Sequence, residues 1–130
     1  MTDEPREYDR EFTARISRRS RRRIGINTNR GQVTRFVLQL EYLLDPDTSE
    51  WVEVVRYDHD ESGSDEATHD VTEDGLHIDV YRDGEKSDSH ELTPPLSGGE
   101  ALTHAEEHLT EHVEGYIRRF EEWHNINANR

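Results

Sequence analysis

Residues 33–44 read Val-Thr-Arg-Phe-Val-Leu-Gln-Leu-Glu-Tyr-Leu-Leu and form the strongest strand pattern in the chain. Successive side chains of a strand point to opposite faces, so Phe36, Leu38, Leu40 and Tyr42 share one face. Arg35, Gln39 and Glu41 lie on the other face. The pattern therefore predicts a strand that is buried on one side, around which the remaining elements are arranged.

Four more segments near this strand have strand character. They are residues 23–27, 51–57, 76–81 and 85–92. Asp83 and Gly84 form a two-residue hairpin signal between the last two. Residues 58–75 are acidic and small, and are predicted to form a long loop, which in a compact domain is either functional or disordered.

The C-terminal part of the chain predicts one long helix. Ser97 and Glu100 have the spacing of a capping box. The apolar side chains that follow recur at intervals of three or four residues: Leu102, Ala105, Leu109, Val113, Tyr116, Phe120 and Trp123. Residues 1–22 are predicted to be an arm that is either flexible or marginally helical. We expect a single α+β domain over residues 1–130, with an antiparallel sheet of four or five strands packed against the long helix and a short N-terminal helix.

Composition excludes several classes of protein. The 130 residues suit one domain, and 30% of them are hydrophobic while 35% are charged. The absence of cysteine excludes a disulfide framework and thiol catalysis. No apolar run reaches the roughly 20 residues of a membrane span, and the N-terminus lacks a signal-peptide pattern. We expect a cytoplasmic protein without membrane contact.

The charged residues are unusual in kind. The net charge is −14, and Lys86 is the only lysine, the other basic residues being arginine. Abundant acid with almost no lysine is typical of proteins from organisms that keep molar salt in the cytoplasm, where a Debye length of about 3 Å screens such a surface. We therefore expect a halophilic protein. An acidic protein from an organism without a salt-rich cytoplasm is the alternative.

The basic residues are concentrated near the N-terminus. Residues 14–35 carry eight arginines and no acid. Arg18, Arg19, Arg22 and Arg23 are the candidates for contact with nucleic acid or a partner, because neutralised phosphates dominate nucleic-acid affinity. No aromatic residues alternate with these arginines as a base-stacking surface would need. This favours the alternative, in which they pair with acids of this chain or of a partner.

Three histidines have the spacing of one helix face. His104, His108 and His112 are four residues apart, and residues 104–108 fit the H-x-x-E-H zinc pattern. The row lies away from the apolar stripe, which favours a solvated face. We therefore expect no metal and no other cofactor.

A second cluster contains more varied chemistry. Its members are Arg56, Tyr57, Asp58, His59, His69 and His77. They come from two predicted strands and the loop between them, and pairing of these strands is expected to place Tyr57 and His59 opposite His77. Such a set contains the parts for RNA cleavage without metal, namely a base for the 2′-OH, an acid for the leaving oxygen and a cation for the phosphate. A carboxylate–imidazole metal site and a purely structural polar sheet end are the alternatives.

The same segments carry a resemblance. They are Arg-Tyr-Asp-His at 56–59, His-Asp-Val-Thr-Glu-Asp-Gly-Leu-His at 69–77 and Asp-Val-Tyr-Arg-Asp-Gly-Glu-Lys at 79–86. From about residue 31 onward the chain resembles a family of small haloarchaeal proteins of unknown function. Its strand–loop–strand core is similar to TumE-type toxins of toxin–antitoxin pairs, although the loop here is longer and more acidic.

The resemblance implies an antiparallel sheet, a loop with paired histidines and a C-terminal helix. It also implies a toxin-like protein with a cognate antitoxin protein as its partner, and the chemistry of the second cluster indicates RNA as the substrate. The alternative function is that of a noncatalytic interaction protein, which acts through the arginine-rich segment or a sheet edge.

Overall fold

The computed structural model describes residues 8–62 and 68–126. Within these ranges the fold is α+β, with a six-stranded antiparallel sheet and a long C-terminal helix. The strands are β1 (Arg10–Ser17), β2 (Ser20–Asn29), β3 (Gln32–Asp45), β4 (Glu50–Asp60), β5 (His77–Arg82) and β6 (Glu85–Glu91). The helices are α1 (Val71–Asp74) and α2 (Gly98–Trp123). Each strand pairs with the next one along the chain, so the order in the sheet is the order in the sequence.

Two tight turns set the hairpins of this meander. Arg30 and Gly31 both have positive φ angles, as do Asp83 and Gly84. Two consecutive positive φ values are typical of the two-residue turns that match the twist of paired strands. The hairpin predicted at Asp83 and Gly84 is confirmed.

The prediction for the N-terminal segment is wrong. The sheet has six strands instead of four or five, and the additional one is β1, where a short helix was expected. Tyr8, Phe12 and Ile16 are four residues apart, a spacing that puts side chains on one face of a helix and equally on one face of a strand. Residues 8–22 are therefore part of the sheet or lead into it, while residues 1–7 of the predicted arm lie outside the described part.

The hydrophobic core lies between the sheet and α2, which packs over β3 and β4. The buried side chains include Phe36, Leu38 and Leu40 of the predicted strand face and Leu102, Leu109 and Phe120 of the predicted helix stripe, joined by Val54 of β4 and Ile78 of β5. Val113 and Tyr116 are only partly buried, and Ile117 is buried in addition. The capping box of Ser97 and Glu100 is present at the start of α2.

The predicted loop over residues 58–75 is shorter than expected. Strand β4 continues to Asp60, and α1 occupies four residues before Gly75. Asp70 caps α1 by accepting a hydrogen bond from the Thr72 amide. Between them, residues 63–67 lie outside the described ranges. Of the helices seen in the described residues, none combines the length and the apolar character needed to cross a bilayer.

Candidate functional site

The candidate site lies on the face of the sheet opposite α2. Along β4, Tyr57 points towards α2, where its hydroxyl shares a hydrogen bond of 2.8 Å with Nδ1 of His108. Because side chains alternate along a strand, Arg56 and Asp58 point to the other face. The strand thus divides the predicted cluster between two sides of the sheet.

Asp58 is almost fully enclosed, with 2% of its surface exposed. Its Oδ2 accepts a hydrogen bond of 3.0 Å from Nε of Arg56, and its Oδ1 accepts one of 2.9 Å from the backbone amide of His69. Burial raises the pKa of Asp58, and these two hydrogen bonds act against that rise. Asp58 therefore joins strand β4, the cation of Arg56 and the segment that carries His69.

Asp79 on β5 is the centre of the site. Its Oδ1 accepts hydrogen bonds from Nε2 of His69 at 3.2 Å and from the hydroxyl of Ser89 at 2.7 Å. Nζ of Lys86 lies 3.4 Å from Oδ2. Burial acts against the charge of Asp79, but the hydrogen bonds from His69 and Ser89 lower its pKa. The hydrogen bond to Asp79 in turn raises the pKa of His69.

His77 completes the group. Its ring stacks on the ring of His69, with centroids 4.5 Å apart. Nδ1 of His77 lies 3.2 Å from the carbonyl oxygen of Gly75. A carbonyl only accepts, so Nδ1 carries the proton, and Nε2 of the neutral ring has a free lone pair. The structure thus brings together Arg56, Asp58, His69 and His77 from the predicted set.

The expectation that Tyr57 and His59 face His77 is wrong by one residue. Arg56 pairs with Asp79 in the antiparallel ladder. His77 is two residues from Asp79 and shares its face, which is the face of Arg56 and Asp58. A shift of one position in register exchanges the two faces of a strand.

Tyr57 and His59 have structural surroundings. Burial raises the pKa of the Tyr57 hydroxyl, so it stays protonated. His59 is fully buried, and its Nδ1 accepts a hydrogen bond of 3.0 Å from the amide of Val71 while its Nε2 lies 3.0 Å from a carboxylate oxygen of Glu61. These contacts attach α1 and α2 to β4. Neither side chain reaches the polar face.

Three groups of the site could hold a metal ion by composition. Asp58, His69 and Asp79 each offer one ligand atom, and these atoms lie within 4.8 Å of one another. Both carboxylates already have a basic partner, Arg56 for Asp58 and Lys86 for Asp79. The charges are therefore balanced without a cation, and a divalent ion would have to displace Lys86 and the bond from His69.

The histidine row of α2 is not a uniform solvated face. His104 and His112 are exposed, but His108 is partly buried against Tyr57. Burial lowers the pKa of His108, with a further contribution from His112. Nδ1 of His108 is bound to Tyr57, and Nδ1 of His112 donates to the His108 carbonyl oxygen at 2.8 Å. The expectation of a row in solvent is wrong for His108.

Most of the four candidate arginines have partners in this chain. Arg22 lies 3.7 Å from Glu106 of α2, and Arg23 lies 3.2 Å from Glu11 of β1. Arg19 donates to the carbonyl oxygens of Leu43 and Leu44. Arg18 is exposed in the turn between β1 and β2. Pairing within the chain, one of the two alternatives from the sequence, therefore describes Arg22 and Arg23.

Sequence reasoning missed Asp79, Lys86 and Ser89 as members of the site. Asp79 had a signal, because it is two residues from His77 on a predicted strand and so shares its face. Beyond the hairpin at Asp83 and Gly84, a register shift between Val80 and Tyr81 brings Ser89 opposite Asp79. Lys86 lies on the same strand, β6.

The chain is a small α+β protein, in which a meander sheet carries a helix on one face and an imidazole–carboxylate cluster on the other. Residues 5–126 match the model of a family described as a domain of unknown function, DUF7718, and the chain belongs to that family. No curated protein and no solved structure matches it. The similarity to TumE-type toxins and the haloarchaeal origin therefore remain predictions.

Proposed function

We propose that this protein cleaves RNA phosphodiester bonds without a metal ion, at the cluster of His69, His77, Asp79, Arg56 and Lys86. The observation that supports this most directly is the pair of stacked imidazoles, one of which is bound to a buried carboxylate. Acid–base catalysis needs one group that donates a proton and another that accepts one. Side chains whose ordinary pKa is near neutral, such as histidine, suit both roles best. The balanced charges of the cluster support a reaction that uses no added cation.

The two histidines have different roles in this proposal. Nε2 of His77, which has a free lone pair in the neutral ring, takes the proton of the 2′-OH. The 2′-oxygen attacks the phosphorus, and the bond from phosphorus to the 5′-oxygen breaks. His69 gives a proton to that 5′-oxygen from Nδ1, since Asp79 holds its Nε2 proton. The products are a 2′,3′-cyclic phosphate and a 5′-hydroxyl.

The cations would stabilise the charge that develops on the phosphate oxygens. Nε of Arg56 donates to Asp58, and among the described residues no hydrogen bond from its terminal amino groups is seen. Those groups suit an anionic oxygen, which a guanidinium binds in a fixed geometry. Lys86 is more exposed than Arg56. Its ammonium group contacts Asp79 and would also bind the phosphate of the RNA.

We further infer a toxin role in a salt-rich cytoplasm, with a cognate antitoxin as partner. The resemblance of residues 56–86 to TumE-type toxins supports the role, and the charge of −14 with a single lysine supports the salt-rich host. The alternative is a noncatalytic interaction protein, which is favoured by the exposed apolar side chains of β1.

The test is cleavage of a fluorescent RNA oligonucleotide by the purified protein in about 2 M KCl with EDTA. We expect cleavage that ends in cyclic phosphates. The single substitutions His69→Ala and His77→Ala should each reduce the rate at least about 100-fold, the lower end of what acid–base groups contribute. His104→Ala is the matched control, because it removes an exposed imidazole on α2, and it should leave the rate unchanged.

Three results would contradict the proposal. They are intact RNA, cleavage that EDTA abolishes, and an equal loss of rate in the His104→Ala variant. In a haloarchaeal host, growth arrest on expression should be relieved by His77→Ala and not by His104→Ala. Harmless expression of the unmodified chain would remove the toxin role and leave the biochemical activity to be judged by the cleavage assay.

A further inference from the structure

The two edges of the sheet differ in chemistry. β6 forms one edge, is exposed throughout and contains only charged and polar side chains. β1 forms the other edge and pairs only with β2 among the described residues. An edge strand presents a row of unpaired N–H and C=O groups, and natural proteins usually protect it with charges or a covering element. β6 has that protection by composition, whereas β1 carries apolar side chains.

The exposed apolar side chains of the described chain are on β1. Phe12 is 55% exposed and Ile16 is 43% exposed, and they are the only large hydrophobic side chains of the described residues with this much exposure. Phe12 pairs with Ile24 in the ladder, so its ring is on the face that α2 partly covers. α2 packs over β3 and β4 and leaves β1 open. Two exposed apolar side chains on one open edge strand point to an interaction site along this edge.

The charge around this edge is opposite to that of the rest of the protein. Residues 10–29 carry seven arginines and one acid, a net charge of +6, so the remaining residues carry −20. Arg21, Arg22 and Arg23 pair with acids of the chain. Arg10, Arg15 and Arg18 make no ion pair with any acid in the described ranges. They are on β1 or in the turn that follows it.

We propose that the β1 edge binds an extended segment of a partner protein, which adds a seventh strand and contains both apolar and acidic residues. The unpaired backbone groups of β1 select a strand, Phe12 and Ile16 select apolar side chains, and the three arginines select acids. Strand addition of this kind draws its affinity from main-chain hydrogen bonds and its specificity from alternate side chains. The surface is four strands away from β5, about 19 Å at the usual strand spacing, and is separate from the cluster around His69.

Two other occupants suit this edge less well. A second copy that pairs through its own β1 would bring two segments of net charge +6 against each other, and this repulsion is destabilising. An RNA strand would require stacking aromatics along the edge, and Phe12 is the single aromatic side chain of β1 and β2.

The test uses fluorescence anisotropy with a labelled ten-residue peptide that alternates valine with glutamate. A peptide with lysine in place of glutamate is the control. The full-length chain should bind the acidic peptide and not the basic one. The double substitution Phe12→Ser with Ile16→Ser should weaken binding at least about tenfold, as should Arg18→Glu. Arg118→Glu, the same charge change at an exposed position of α2, should leave the affinity unchanged.

Hydrogen exchange gives a second readout that a general charge effect would not move. Bound peptide should slow exchange at every second amide of β1 and at none of β6, because only alternate amides face outward. The side chains of Phe12 and Ile16 are exposed, so the double variant is expected to fold, and circular dichroism checks this. Absence of peptide binding, equal binding of the lysine peptide, or unchanged exchange in β1 would overturn the proposal. Sedimentation as a dimer that the double variant disperses would also overturn it, because the edge would then be occupied by a second copy.

Discussion

The rings of His69 and His77 lie within 5° of parallel, with their centroids 4.5 Å apart. His69 belongs to the segment between β4 and α1, and His77 is the first residue of β5. Each ring has a separate acceptor, Asp79 for His69 and the Gly75 carbonyl for His77. The carboxylate of Asp79 stabilises a proton added to His69, whereas the ring of His77 has only a carbonyl oxygen as its acceptor. The arrangement distinguishes a proton donor from a proton acceptor within one stack.

The first prediction concerns the charge on His69. The substitution Asp79→Asn removes the carboxylate whose hydrogen bond raises the His69 pKa, so that pKa should fall towards its ordinary value of 6.5. NMR titration of the His69 ring measures this directly. Asp88→Asn on β6 is the control, since that carboxylate is exposed, accepts a hydrogen bond from the Ser89 backbone amide and contacts His90 instead of His69. An unchanged His69 titration in the Asp79→Asn variant would contradict the assigned hydrogen bond.

The same substitution has a predictable effect on stability. Folding raises the pKa of His69, so its contribution is fully present below pH 6.5 and is lost as the pH rises through the folded value. Folding lowers the pKa of Asp79, so its contribution is present above pH 3.8 and is lost as the pH falls through the folded value. The decrease in the free energy of unfolding caused by Asp79→Asn should therefore be larger at about pH 5.5 than at about pH 8. Urea unfolding at the two values measures it.

The sequence predicts the centre of this fold better than its N-terminal edge. Alternation of Phe36, Leu38 and Leu40 indicates a strand and nothing else. Along α2, the spacing of three or four residues indicates only a helix. The spacing of Phe12 and Ile16 has two interpretations, because a step of four residues keeps one face in a helix and in a strand. Local pattern cannot separate these cases, since the pairing of β1 with β2 decides between them.

The sequence predicted only some of the site residues, and the reason is similar. Adjacent residues such as Arg56 and Tyr57 are close in sequence, but a strand places them on opposite faces. The position of His69 depends on the hydrogen bond from its amide to Asp58, across eleven residues. Asp79 depends on the register between β4 and β5. The residue types of segments 56–59 and 69–77 indicated where the site lies, but only the pairing of the strands determines which of these side chains meet.

The second prediction separates structural from catalytic roles. Tyr57→Phe removes a hydrogen bond to a partly exposed histidine and should cost about 0.5–1.5 kcal/mol of unfolding free energy. His108→Ala leaves the hydroxyl of a buried tyrosine without this partner and should cost more, about 1–3 kcal/mol. Denaturant unfolding of the single and double variants gives the coupling energy. Both variants should keep full RNA cleavage, because the hydrogen bond between Tyr57 and His108 lies on the α2 face of the sheet. Loss of cleavage by Tyr57→Phe at unchanged stability would contradict the proposal that the reaction takes place on the opposite face.

The third prediction concerns salt. With a net charge of −14, the free energy of unfolding should rise between about 0.1 M and about 2 M KCl, as the Debye length falls from about 10 Å to below 3 Å. The ion pair of Arg22 and Glu106 is partly exposed and contributes little to the free energy of unfolding, so its screening by salt costs little. The double variant Glu107→Gln with Glu111→Gln removes two exposed acids of α2 and should show a smaller gain. Equal stability of the unmodified chain at both concentrations would remove the halophilic interpretation.

The last prediction compares two neighbouring glycines at the start of α2. A Cβ on Gly98 would lie 2.2 Å from the carbonyl oxygen of Val33 and 3.1 Å from the ring of His59, whereas a Cβ on Gly99 would meet nothing within 4 Å. Gly98→Ala must therefore push the first turn of α2 away from the sheet, at a cost of about 1–3 kcal/mol. Gly99→Ala should instead stabilise the helix by about 0.5–1 kcal/mol, because alanine loses less backbone entropy than glycine. The two variants make the same chemical change at adjacent positions, so denaturant unfolding should show effects of opposite sign. If Gly98→Ala is as well tolerated as Gly99→Ala, then the first turn of α2 does not pack against β3 and His59.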